Sequence, residues 1–388
     1  MSRLAYLDNN ATTQVAPEVL EEMLPFFKDY YGNPSSMHAF GGVVQKKVDA
    51  AREKLAALLH ADPSEIIFTS CGSESDNTAI FGAASAIGPG GTIITTRVEH
   101  PAVLQPCRKL KEMGYKIFEI GVHGDGTLDM DEYKAALSAP GKKLVTMMWA
   151  NNETGVIFPI KECAELAKAA GAYFHTDAVQ AMGKLSEVNM AEVPADMLSL
   201  SGHKLHAPKG IGALYVRKGT HINPFLLGGH QENGRRAGTE NVPYIVGLGK
   251  AAELAKIDLG SDEIERIARL RDMLQEELLK LPDARLNGSQ TKRLPNTLNI
   301  SFEFIEGEAL LYHLSDAGIC ASSGSACSSG SLEPSHVIRA MGVPFTAVHG
   351  SLRFSLSRYN TEEDIKQVIE VMPGIVDKLR KISPFVNT

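Results

Sequence analysis

Seven short apolar segments recur along the first two-thirds of the chain, at 65–70, 92–96, 116–120, 144–149, 172–175, 197–200 and 213–216. Amphipathic patterns of helical length lie among them at 43–59, 74–87, 101–113 and 160–170. Strands alternating with helices of this size predict an α/β fold, a mostly parallel sheet with helices on both faces. In such sheets a ligand sits beyond the carboxyl ends of the strands, where the strand-to-helix loops gather. The polar residues of those loops are therefore the first candidates for chemistry.

The pattern changes near residue 258. A charged helix at 263–281 precedes a strand at 297–302, a helix at 307–314 and a strand at 351–357. A closing helix starts at Thr361-Glu-Glu-Asp364, a capping-box pattern with Asp in place of Glu or Gln. Its apolar face is Ile365, Val368, Ile369 and Met372, and Pro373-Gly374 is expected to kink or interrupt it. This region reads as a smaller α+β domain. With 388 residues, 44% of them hydrophobic, the chain can bury more than one core.

The bulk properties exclude several classes. A net charge of −7 with no basic run argues against nonspecific nucleic-acid binding. No stretch of ~18 apolar residues predicts a membrane span, and the first residues lack the apolar run of a signal peptide. The five cysteines, at 71, 107, 163, 320 and 327, are odd in number and irregularly spaced, which suits neither a disulfide framework nor a zinc site. Cys163 and Cys320 have apolar neighbours and read as core residues. A reduced, cytoplasmic protein is the expectation.

Five loops after strands carry polar groups. Ser201-Gly-His-Lys204 places a lysine in a tight turn, suited to a Schiff base; in isolation an ordinary loop lysine is the better explanation. Asp177 ends the segment before it and Gln180 follows three residues on. A carboxylate there suits a protonated pyridine nitrogen, as in pyridoxal phosphate, and the amide suits the phenolic oxygen of the same ring. Gly72 and Ser73 open a helix and would present backbone N–H groups to a phosphate. His100 begins another helix and would stack over a ring, and Asn151-Asn152-Glu153 falls at the same sheet edge. Singly, each loop has a structural explanation; their convergence on one edge favours a site.

These motifs in this order resemble the cysteine desulfurases of the NifS/IscS type. Beside Ser201-Gly-His-Lys204 and Asp177-x-x-Gln180, the resemblance rests on Asp8-Asn-Asn-Ala-Thr-Thr13, Ser73-Glu-Ser-Asp-Asn77 and Ser325-Ala-Cys-Ser-Ser-Gly-Ser-Leu-Glu-Pro-Ser335, and it spans nearly the whole chain. It implies the aminotransferase-like fold of type I pyridoxal-phosphate enzymes, with a large domain at 15–257 and a small one formed by 1–14 and 258–388. It implies a homodimer with sites at the subunit interface.

Carried over by matching position, Lys204 would link covalently to the cofactor, Asp177 would face the ring nitrogen, Gln180 the phenolic oxygen, and His100 would stack on the ring and transfer protons. Gly72, Ser73, Ser201 and His203 would hold the phosphate, joined by Thr239 from the second subunit. Asn152 and Arg353 would hold the substrate carboxylate, for which a guanidinium fork is well suited. Without the resemblance Arg353 reads as readily as a surface strand arginine.

Cys327 lies among serines and glycines rather than apolar neighbours, as suits a reactive thiol on an exposed loop. The segment resembles the longer-loop class of the family, in which the thiol takes sulfur from L-cysteine, releasing L-alanine, and carries it as a persulfide. The persulfide would go to an iron–sulfur scaffold or another sulfur acceptor, any contact with iron being transient; no resident metal is expected. Trp149–Pro159 and Val337–Met341 lean towards the NifS side and nitrogenase maturation. The rival readings are an aminotransferase or selenocysteine lyase with the same cofactor, a cysteine hydrolase using His336 or His349 as base, and a noncatalytic scaffold protein.

Overall fold

The computed structural model describes residues 3–323 and 334–383. Its strands, in chain order, are β1 (Ala5–Tyr6), β2 (Ile66–Thr69), β3 (Thr92–Thr96), β4 (Lys116–Ile120), β5 (Lys143–Met148), β6 (Tyr173–Asp177), β7 (Met197–Ser201), β8 (Gly212–Val216), β9 (Ala284–Leu286), β10 (Thr297–Phe302), β11 (Ile319–Cys320) and β12 (Ser351–Ser355). The seven expected segments form one sheet in the order β2-β8-β7-β6-β5-β3-β4. Only β8 runs against the rest, pairing antiparallel with β2 and β7.

Alternation along each strand divides the interior into two layers. On β8, Ala213 and Tyr215 face one core while Leu214 and Val216 face another built with the Gly72–Ile87 and Pro101–Glu112 helices. Every residue of β5 is buried, as expected of a parallel strand covered on both faces. The lateral strand β4 is largely exposed.

A third core forms around the antiparallel sheet β12-β10-β9 and the parallel pair β1–β11. It takes Ala5 and Leu7 from the start of the chain together with Leu352, Phe354 and the closing helix. That helix runs unbroken from Glu362 to Ile382, so the expected interruption at Pro373 does not occur. Asp364 Oδ2 accepts from Thr361 N at 3.0 Å, completing the capping box. An interior proline costs about 3 kcal/mol. Ile365, Val368, Met372, Val376 and Leu379 are buried on the opposite side, and each such side chain contributes about 1.5–3 kcal/mol. Pro373 itself is exposed, on the side of the helix away from that core.

Candidate active site

β2, β3, β5, β6 and β7 all end at one edge of the large sheet, and a cavity of about 380 Å³ opens there. Ten expected site residues line it: Gly72, Ser73, His100, Asn152, Asp177, Gln180, Ser201, His203, Lys204 and Arg353. Thr239 does not; it lines a separate depression with Arg236 and Glu240. Cys327 lies outside the described residues. Both flanks of its segment are tied to residues at or next to the cavity wall. Ser322 and Arg353 exchange backbone hydrogen bonds, and Ser335 Oγ donates to the buried Glu153.

Lys204 ends a 3₁₀ turn, Gly202–Lys204, directly after β7. Gly202 is required there, because a Cβ would lie 2.7 Å from Ile211 Cγ2. The Lys204 amine donates to the backbone carbonyls of Asn10 and Ala11, each at 2.6 Å. Asp177 closes β6, and its Oδ1 accepts from Val179 N at 2.9 Å. Burial pushes its carboxyl up to about 6, held back by that N–H and by Lys204, so it is mostly ionised at neutral pH. Gln180 Nε2 donates to Asn10 O at 3.0 Å.

The Gly72–Ile87 helix points its first turn into the cavity and has no side-chain cap. Those N–H groups are oriented donors at the positive end of a helix dipole. A Cβ on Gly72 would stand 3.0 Å from Val179 Cγ2 and 3.3 Å from Ser201 Cβ, so glycine lets the helix start close to the ends of β6 and β7.

His100 caps the Pro101–Glu112 helix, its Nδ1 accepting from Ala102 N at 3.1 Å. The neutral ring therefore carries its proton on Nε2. Burial, then Lys204 and His336, lower it to about 4. A ring neutral at physiological pH suits stacking better than proton donation. His203 is likewise lowered to about 4, mainly by burial, with Nδ1 3.1 Å from Thr12 Oγ1.

Arg353 is 2% exposed, not a surface arginine. Its Nη2 donates to Asp8 Oδ1 at 2.8 Å and its Nη1 to Asn152 O at 3.0 Å. Two of a guanidinium's five N–H groups are thus anchored, and Nε has no partner among the described residues. The backbone of Asn152, rather than its side chain, makes this contact.

Several residues around the cavity had no assigned role. Asp8 orients Arg353, and Asn10 joins the walls, donating to Asn152 O at 3.1 Å and Thr297 Oγ1 at 2.9 Å. Asp76 lines the cavity one turn after Gly72 on the same helix face, a spacing visible in the sequence. Burial, then Asp177, raises its carboxyl well above the ordinary range. Glu99 is pushed up to about 8 by burial, and its Oε1 accepts from Thr96 Oγ1 at 2.7 Å and Met148 N at 3.0 Å.

The donor set fits pyridoxal phosphate: an uncapped helix start for phosphate, a carboxylate, an amide and an amine around one cavity, and a buried guanidinium beside it. The cavity is also of ordinary cofactor-site size.

Comparison with known proteins points the same way. Residues 5–368 match the family model described as Aminotransferase class-V. A cysteine desulfurase of Trichormus azollae is 61% identical over 98% of this chain and 95% of its own length. The cysteine desulfurase NifS of Azotobacter vinelandii is 54% identical over 98% of this chain and 94% of its own. A solved NifS-like protein superposes with a TM-score of 0.91 at 38% identity, covering 97% of this chain and 100% of that one. SspA in complex with cysteine superposes with a TM-score of 0.80 at 35% identity, covering 92% and 100%. The chain belongs to the class-V aminotransferase family, whose members depend on pyridoxal phosphate, and is a NifS-like cysteine desulfurase.

Proposed function

We propose that the cavity holds pyridoxal 5′-phosphate, joined to Lys204, and that Cys327 receives the sulfur of L-cysteine. The observation that carries this reading is the meeting of ten expected site residues in one cavity around the Lys204 amine. When bound, the cofactor supplies an electron sink that acidifies the substrate Cα–H and loosens its Cβ–S bond.

The chain's own groups do the rest. Gly72 and Ser73, with Ser201 and His203, hold the phosphate, joined by Thr239 of the partner subunit. Asp177 holds a proton on the ring nitrogen, and Gln180 donates to the phenolic oxygen. His100 stacks on the ring as a neutral imidazole and leaves proton traffic mainly to Lys204. The Arg353 fork, held from behind by Asp8 and Asn152 O, takes the substrate carboxylate. Lys204 Nζ, released by the substrate amine, takes the Cα proton. Cys327 thiolate forms a bond to the substrate sulfur as the Cβ–S bond breaks. That bond's electron pair stays with the carbon skeleton, which takes up a proton at Cβ, regains one at Cα and leaves as L-alanine, and the enzyme keeps a persulfide.

Thr239 lies outside its own chain's cavity, so the phosphate contact proposed for it would come from the partner subunit of a homodimer. Tyr31, Met37 and Leu227 are strongly exposed and offer apolar surface to a second copy. Residues 15–257 form the cofactor domain, and 1–14 with 258–388 the small domain; a separate core containing Ala5, Leu7, Leu352 and Phe354 supports that division. The acceptor is an iron–sulfur scaffold or another sulfur-accepting protein.

The Cys327→Ser variant tests the division of labour. It should bind L-cysteine and change the cofactor absorbance, yet form no persulfide and release no sulfide. Full sulfide release would assign the sulfur to another group.

A further inference from the structure

Behind Lys204 lies a second half-buried lysine to which no role is assigned. Lys184 ends the turn that follows β6, and its Nζ donates to Gln180 O at 3.0 Å and Gln180 Oε1 at 3.3 Å. Among the described residues no carboxylate lies within ion-pair distance of it, although burial and the nearby Lys204 lower its ammonium to about 7. The preceding residue brings it there. Gly183 has φ +70°, and a Cβ on it would stand 2.6 Å from Leu205 Cδ2 and 3.1 Å from Ala255 Cβ. A smaller cavity of about 60 Å³, separate from the cofactor cavity, is lined by Lys184 and Lys204 together.

The contact with Gln180 has a definite polarity. An ammonium only donates, so the amide atom facing Lys184 is the oxygen. The amide nitrogen is thereby directed away from Lys184, with one N–H on Asn10 O and a second left for the cofactor cavity. Removing Lys184 would take away one of the two contacts that select this orientation, leaving the Asn10 carbonyl to hold the amide nitrogen.

Charge acts on Lys204 as well. Two desolvated amines cannot both hold a proton cheaply, and each disfavours the charged form of the other. Such pairs titrate jointly, with one positive charge shared over a wide pH range. Placing a cation beside a Schiff-base lysine is an established way to obtain its neutral amine. The other charged or titratable groups around the two amines are His203, His206, Asp258 and Arg358 near Lys184, and Asp177 and His100 near Lys204, these last the same in every Lys184 variant. His203 and His206 are both lowered to about 4, and Asp258 is committed to Arg358 at 3.1 Å. None of them supplies Lys184 with a carboxylate of its own.

We propose that Lys184 is a positioning residue for the desulfurase reaction: it fixes the Gln180 amide with its N–H towards the cofactor and, as a second cation behind Lys204, favours the neutral Lys204 amine. This rests on the cavity being the pyridoxal-phosphate site with Lys204 as its covalent partner.

The test is the pH dependence of cofactor capture by apoprotein, followed by absorbance on mixing with pyridoxal phosphate, which needs no turnover. Lys184→Met removes charge and donor, Lys184→Gln keeps a donor without charge, and Lys184→Arg keeps both. The capture midpoint should move about one pH unit alkaline in the Met and Gln variants, the scale of a single neighbouring charge. It should stay at or below the wild-type value in Lys184→Arg. Loss of amide orientation should also speed cofactor release several-fold in Lys184→Met and not in Lys184→Arg. An unchanged midpoint in both uncharged variants, or an equal shift in all three, overturns the proposal. If wild-type protein captures no cofactor on Lys204, the site reading itself fails, a result visible before any variant is compared.

Discussion

Replacing Arg353 by lysine keeps the charge and removes the fork. In the native site the guanidinium is 2% exposed and bound at 2.8 Å to Asp8 and 3.0 Å to Asn152 O. A lysine has one nitrogen, which cannot serve Asp8, the Asn152 carbonyl and a substrate carboxylate in the same geometry. Losing one charge-assisted hydrogen bond costs about 1.5–3 kcal/mol, so KM for L-cysteine should rise roughly 10- to 150-fold. The carboxylate contact persists from bound substrate to transition state, so kcat should change far less than KM. Steady-state alanine formation at saturating pyridoxal phosphate reads both constants, and thermal melting checks that the variant is folded. Asp8→Asn, which leaves the guanidinium intact but loosely held, should raise KM by a smaller factor. A folded Arg353→Lys enzyme with KM within about twofold of wild type, less than 0.5 kcal/mol, would place the carboxylate elsewhere and refute the reasoning.

Two further outcomes are expected. Gly72→Ala puts a methyl 3.0 Å from Val179 Cγ2, an overpacking of about 1–3 kcal/mol; equilibrium titration should show pyridoxal phosphate bound about tenfold or more weakly, and an unchanged Kd would separate the phosphate site from this helix start. Mixing Lys204→Ala with Thr239→Ala protomers creates one pocket with both native groups, so tight cofactor retention should return in the hybrid; no recovery after verified subunit exchange would make each site the work of one chain.

The large sheet was legible because its central strands are buried on both faces and so read as short apolar runs such as Ile93–Ile94 and Leu144–Val145. Strand direction was not, since nothing in Gly212–Val216 states that β8 opposes its neighbours. Nor was the Val242–Leu259 helix picked out; nine of its residues are buried apolar or glycine, which blurs the amphipathic period. Site residues in strand-end loops were legible because topology alone gathers them. Asp8 and Asn10 act through contacts with residues more than a hundred positions away, a relation local pattern does not encode. Lys184 carries no motif in the sequence, and only the fold brings its amine to Gln180. Pro373 shows the reverse case, a local rule overruled by the packing of the opposite helix face.

The account stands most directly on the covalent partner of the cofactor. Borohydride reduction of the holoenzyme, followed by proteolysis and mass spectrometry, should find a single pyridoxyl adduct on Lys204 and none on Lys184, despite their shared cavity. An adduct on Lys184 or Lys209 in native protein would contradict the assignment of Lys204 and the site built around it.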